Sequence, residues 1–104
     1  MNFVEDKLPA LVREELEAAN RVNPPFNSEH EGYAVLLEEV EETKHELEEV
    51  DTCLRILWDL VKHDHPKTRE YAGKVATHAM HAAAEAIQVA AMAMKFQNIG
   101  RNEK

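Results

Sequence analysis

Four glutamates, Glu38, Glu39, Glu41 and Glu42, crowd two helical turns in the stretch "HEGYAVLLEEVEE", residues 30–42. Carboxylates placed this way are hard oxygen donors, suited to Mg²⁺, an ion that keeps several of its own waters. A solvated acidic helix face has the same composition, and E-x-x-E spacing often arises by chance. A second feature helps to separate these readings. Between Tyr71 and Asn102 the single acidic residue is Glu85. It falls in the stripe Val75, His78, Ala82, Glu85, Val89, Met92, Phe96, whose steps alternate three and four. A carboxylate on such an apolar face must find an ion pair, hold a proton or bind a metal. Arg13 and Arg55 are the candidate partners for an ion pair.

Helical geometry relates these features. At about 100° per residue, Leu36, Val40, Thr43 and Leu47 form a seam facing the core. Glu39 lies at the edge of that seam, and Glu42 and Glu46 follow on the same flank. Glu39 and Glu42 therefore converge on one point just off the seam, while Glu38 and Glu41 turn toward solvent or the opposite flank. Two carboxylates three residues apart on one helix, facing Glu85 from another, make a site for Mg²⁺. The histidines offer a rival. His78, His81 and Glu85, at i, i+3 and i+7, have the spacing of a His/His/Glu transition-metal site. With a lone cysteine and no H-E-x-x-H motif, zinc ranks below magnesium. His63 and His65 flank a helix boundary and read as capping or exposed groups. No G-x-S-x-G, P-loop or G-x-G-x-x-G is present, and no cysteine–histidine pairing suggests nucleophilic catalysis.

Helices must position these groups. Three glycines and four prolines among 104 residues, with abundant Ala, Leu, Glu and Lys, predict an all-α chain. The first helix begins near Phe3 or Pro9 and runs to about Arg21, carrying Leu8, Leu11, Val12, Leu16 and Ala19 at helical spacing. Pro9 suits a first turn and costs about 3 kcal/mol inside a helix. "NPPFN", residues 23–27, is the clearest break. Ser28 and Glu31 form an S-x-x-E capping box that opens a second helix. Its seam of Leu36, Val40, Leu47, Val50, Leu54, Leu57 and Val61, with Thr43 filling the gap, extends to about Lys62. "HDHP", residues 63–66, ends it, and Pro66 suits the first position of a third helix, with Asp64 or His65 near its cap. That helix runs to about Gln97 before the stop signal Gly100. It carries a second apolar stripe, Met80, Ala84, Ile87, Ala91 and Met94. A helix apolar on two faces is buried on both, which in so short a chain predicts packing against another subunit. The expected fold is one domain, residues 1–104: a bundle of three main helices completed by oligomerisation into a four-helix-bundle-like core.

The net charge of −8 argues against binding a nucleic-acid polymer or docking on anionic lipid. The charge is uneven. Residues 1–51 carry 15 acidic and 4 basic side chains, and residues 52–104 carry 5 and 8, an asymmetry compatible with metal at one end and phosphate-binding groups at the other. One cysteine, Cys53, excludes an internal disulfide and fits a reducing compartment. No apolar run approaches the roughly 18 residues of a membrane span, and "MNFVEDKLPA" has no secretion-signal pattern. A soluble cytoplasmic chain is expected.

"FNSEHEGYAVLLEEVEE" and "EAIQVAAMAMKF" resemble the MazG-like all-α nucleoside triphosphate pyrophosphohydrolases, in particular short phage-type and bacterial members with an F-N-S-x-H-E-G-Y-A signature. The family pattern is E-x-x-E on one helix and E-x-x-D on the next, together binding Mg²⁺ or Mn²⁺. Glu39 and Glu42 match the first pair, with Glu38 the preceding acid, and Glu85 matches the first member of the second. The fourth position is Gln88, whose amide oxygen can ligate Mg²⁺ without charge. The segment between the pairs, residues 43–84, is longer than the usual spacer. The resemblance implies hydrolysis of a nucleoside or deoxynucleoside triphosphate to the monophosphate and pyrophosphate by a homodimer or homotetramer. Glu38 or Glu42 would act as the base. Lys74, Lys95 or Arg101 would contact phosphate, and His30 and Tyr33 would shape the nucleotide pocket. Without a functional site, His30 supports the helix cap and Tyr33 packs on the first helix. The alternative is a catalytically degenerate helical module that binds nucleotide or protein. A weaker third reading is a metal carrier using His78 and His81.

Overall fold

A computed structural model describes residues 2–100. Three helices pack against one another: α1, Asn2–Val22; α2, Glu29–Lys62; and α3, Thr68–Gln97. No strand occurs among the described residues. Arg101 lies outside them. The all-α expectation holds, and the helix ends match their local chemistry closely. Ser28 Oγ accepts the Glu31 amide N–H at 3.1 Å, and the Glu31 carboxylate accepts the Asn27 N–H at 2.6 Å. The box thus closes one residue upstream of the usual reciprocal bond, for an N-terminal contribution of about 1 kcal/mol.

The turn after α2 is a Schellman arrangement. His65 N–H reaches the Leu60 carbonyl at 2.9 Å and Asp64 N–H reaches that of Val61 at 3.1 Å, with Asp64 left-handed at φ 52°. His63 Nδ1 meets the Asp59 carbonyl at 2.8 Å, and His65 Nδ1 accepts the Lys67 amide at 3.1 Å. Both histidines therefore serve helix ends, as their positions predict. The third helix begins at Thr68 rather than at Pro66, because His65 caps the intervening turn. Gly100, at φ 79°, follows the end of α3. Pro9 lies inside α1. A proline there forfeits one backbone bond, to the carbonyl four residues before it.

Two compact units divide the described chain, and each division passes through a helix. One holds the chain up to Val40 together with the chain from Glu85 on; the other is Glu41–Ala84. In the first, Gly32 decides how α2 meets α3. A Cβ there would stand 2.6 Å from Phe96 Cδ2 and 3.1 Å from Phe26 Cδ2. Only a glycine lets both rings approach the helix backbone so closely. Ala91, with no exposure, lies in the same unit.

The second unit is the α2–α3 hairpin. Here the predicted seam is only half right. Thr43, Val50 and Leu57 are half-buried, but Leu47, Leu54 and Val61 are about half exposed. The inward stripe of α2 instead runs through Thr43, Glu46, Val50, Cys53, Leu57 and Leu60. Cys53 on α2 and Ala82 on α3 are the buried apolar residues described in this unit. The larger apolar side chains turned outward include Trp58 and Met80, at 60% and 64% exposure. The second stripe of α3 divides likewise: Met80 and Ala84 are exposed, whereas Ile87 and Met94 are half-buried.

Candidate functional site

Helix α2 enters the site already ordered by the Ser28 cap, and the E-x-x-E spacing turns Glu39 and Glu42 onto one flank. Glu39 and Glu85 both belong to the first unit and both are half-buried. Each offers an oxygen within 4.8 Å of the other. One oxygen of Glu39 and one of Glu85, Oε2 in each, are shut away from solvent, while Glu42 is exposed. Both half-buried glutamates make further interactions, as does Thr43, one turn beyond Glu39. Arg55, one of the candidate partners for Glu85, holds Asp51 at 2.9 Å.

Carboxylates gathered this closely repel when ionised, and a divalent cation relieves that repulsion. The donor set contains only oxygen. It fits a hard ion such as Mg²⁺ or Mn²⁺ better than a thiophilic one. Gln88, one turn beyond Glu85 on α3, is half-buried. Glu38 and Glu42 are exposed.

The other predicted residues are dispersed. Lys95 is buried, at 7% exposure, with Nζ 4.8 Å from the centre of the Phe26 ring. It lines a pocket of about 260 Å³ with Ala19, Asn23, Phe26, Val35 and Met92, all in the first unit. A cation held over an aromatic face beside a pocket can meet a phosphate or a carboxylate. His30 and Tyr33 are exposed, Tyr33 at 63%. Neither lines the pocket at Lys95. Lys74 belongs to the second unit and lies over the Tyr71 ring at 5.4 Å.

A second group of donors appears where sequence spacing gives only part of it. His78 and His81 do share a face of α3, but their neighbour is Glu46 of α2, not Glu85. His78 Nδ1 lies 3.1 Å from Glu46 Oε1, and His81 Nδ1 lies 3.7 Å from the same oxygen. The hydrogen bond from His78 holds the Glu46 carboxyl below its usual range; burial opposes this, and the charges of His81, His78 and His45 add to it. The pattern available in the sequence was a heptad offset: Glu46 follows Glu39 by seven residues, as Glu85 follows His78.

Comparison with protein-family models, with curated proteins and with solved structures gave no match. Among the described residues, no helix is long and apolar enough to cross a membrane.

Proposed function

We propose that this chain hydrolyses nucleoside or deoxynucleoside triphosphates to the monophosphate and pyrophosphate, using Mg²⁺ or Mn²⁺ held by Glu39, Glu42 and Glu85. The observation that carries the reading is the approach of the Glu39 carboxylate on α2 to that of Glu85 on α3, within the first unit. The resemblance of "FNSEHEGYAVLLEEVEE" and "EAIQVAAMAMKF" to the MazG-like pattern supplies the reaction.

The bound cation would neutralise phosphate oxygens and make a coordinated water more acidic. Half-buried Glu39 and Glu85 supply fixed oxygens, and the Gln88 amide oxygen is the uncharged donor within reach along α3. A Glu42 oxygen left free by the ion is the base of choice, with exposed Glu38 the alternative. Water opens the α–β phosphoanhydride, its proton passes to that carboxylate, and pyrophosphate leaves. Lys95, about 15 Å of helix axis beyond Glu85 and within the same unit, would then lie beside the nucleoside end of an extended substrate rather than at its phosphates. A second copy of the chain covers the exposed stripe of Leu47, Leu54, Trp58 and Val61 in this reading, giving a dimer or tetramer. A monomeric mass in light scattering would remove that part.

The test is chromatography of each common NTP and dNTP after incubation with protein and Mg²⁺, then Mn²⁺. Equal amounts of monophosphate and pyrophosphate are expected. Glu39→Gln and Glu85→Gln should each abolish them while helical circular dichroism persists. Survival of every triphosphate in both metals overturns the reading. It would favour the non-catalytic binding module, which Gln88 in place of an acid already suggests.

A further inference from the structure

Glu46, His78 and His81 bring three possible ligand atoms within 4.8 Å of one another, all inside the second unit. Two donors bound to one tetrahedral zinc, each at about 2.0–2.1 Å, stand about 3.3 Å apart. The two histidine Nδ1 atoms lie 3.1 and 3.7 Å from Glu46 Oε1, on either side of that value. The rings of His78 and His81 are nearly perpendicular, at 89°, with centroids 6.0 Å apart. They approach Glu46 from different directions rather than stacking.

We propose that Glu46, His78 and His81 bind a zinc-class divalent transition ion that links α2 to α3 in the second unit. The site differs in kind from the carboxylate cluster. Two imidazoles and one carboxylate suit Zn²⁺, Co²⁺, Ni²⁺ or Cu²⁺, whereas an oxygen-only set suits Mg²⁺. Three protein ligands leave a fourth position to water. At 58% exposure, His81 leaves the ion open to solvent and to exchange. Glu46 and His78 are more enclosed and form the fixed side of the site. The contact between them already sets two of the three ligands side by side, and an ion entering there displaces the proton that His78 Nδ1 shares with Glu46.

The experiment uses full-length protein stripped with chelator and dialysed, then titrated with Zn²⁺ against a chromophoric competitor. Co²⁺ is added separately to read the ligand-field spectrum. Wild type should take one Zn²⁺ per chain at this site, show a Co²⁺ spectrum of low coordination number, and melt at a higher temperature with Zn²⁺ than without. His78→Ala and His81→Ala should each weaken Zn²⁺ by at least about 100-fold, the upper end of the loss seen when an outer-shell partner of a metal ligand is removed, and lose the thermal shift. His81 is the more exposed and the less able to disturb folding, and circular dichroism checks both variants. Glu85→Gln should leave Zn²⁺ binding intact. Unchanged binding in both histidine variants overturns the proposal. So does binding lost in Glu85→Gln and kept in the histidine variants, because zinc would then occupy the carboxylate cluster. Since the readout is Zn²⁺ and not turnover, failure here leaves the pyrophosphohydrolase reading untouched, and the reverse also holds.

Discussion

Glu39 and Glu46 stand seven residues apart on α2; Glu85 and His78 stand seven apart on α3. Both levels place glutamate of one helix against a donor of the other, yet their chemistry diverges. At Glu85 the donors are carboxylates, which when ionised only accept hydrogen bonds. At His78 an imidazole faces Glu46 and can donate to it, so the pair is satisfied internally. The first cluster offers an ion oxygen donors alone, and the second adds nitrogen donors. The identity of one residue on α3, acid or histidine, sets the kind of ion each level can take.

The largest effect expected from breaking this comparison is on turnover. Glu85→Gln should cost at least about 1000-fold in kcat with Mg²⁺, through loss of a ligand that fixes the ion at the reacting phosphate. His81→Ala should leave kcat with Mg²⁺ within about twofold. Equal losses in the two variants would mean that the levels form one functional unit.

Lys95 sharpens the picture of the first unit. Lys95→Met keeps the chain volume over the Phe26 ring and removes the charge. KM for triphosphate should rise about tenfold, about 1.4 kcal/mol, with kcat and melting temperature little changed. An unchanged KM would place substrate elsewhere, and His30 and Tyr33 would be tested next.

Much of this was legible in sequence, for identifiable reasons. The Ser28–Glu31 box, the break at "NPPFN" and the stop at "HDHP" are local signals, and local chemistry decides helix ends. The pairing of Glu39 and Glu42 follows from spacing on one helix, and Glu85 stood out as the lone acid of its stripe. The failures are non-local. Leu47, Leu54 and Val61 repeat every seven residues and read as core, but periodicity identifies a stripe without saying what covers it. Glu46 escaped notice as the partner of His78 because the register between α2 and α3 depends on how the Asp64 turn sets one helix against the other. Pro9 was read as a possible start, yet α1 runs through it, since propensity is a weak prior against a helix already formed on both sides.

Gly32 and Glu46 give the smaller tests, one in each unit. Gly32→Ala gains helix propensity of about 1 kcal/mol but drives a methyl into Phe96, an overpacking that costs about 1–3 kcal/mol. The net should be destabilising by up to about 2 kcal/mol in denaturant melts, and Phe96→Leu in the same chain should recover part of it. A more stable Gly32→Ala protein would show that the Phe96 ring moves aside freely, and the first unit would then be looser than its close approach implies.

Glu46 is expected to lose its stabilising effect in acid. Its carboxyl is held below the usual value of 4.5, first by the hydrogen bond from His78. A carboxyl with a lowered folded-state pKa stabilises the fold above its unfolded-state pKa. That contribution fades as pH falls through the lowered value, because the proton then binds the unfolded chain more readily. Chelator-treated wild type should therefore be more stable than Glu46→Gln near pH 5, and the two should converge as pH falls below about 4.5. Melts from pH 3 to pH 7 read this directly. Curves that stay parallel into acid would mean that Glu46 contributes through packing rather than charge. The second cluster would then lose its claim to a preorganised ion pair, although the Zn²⁺ titration would still decide whether it binds a metal.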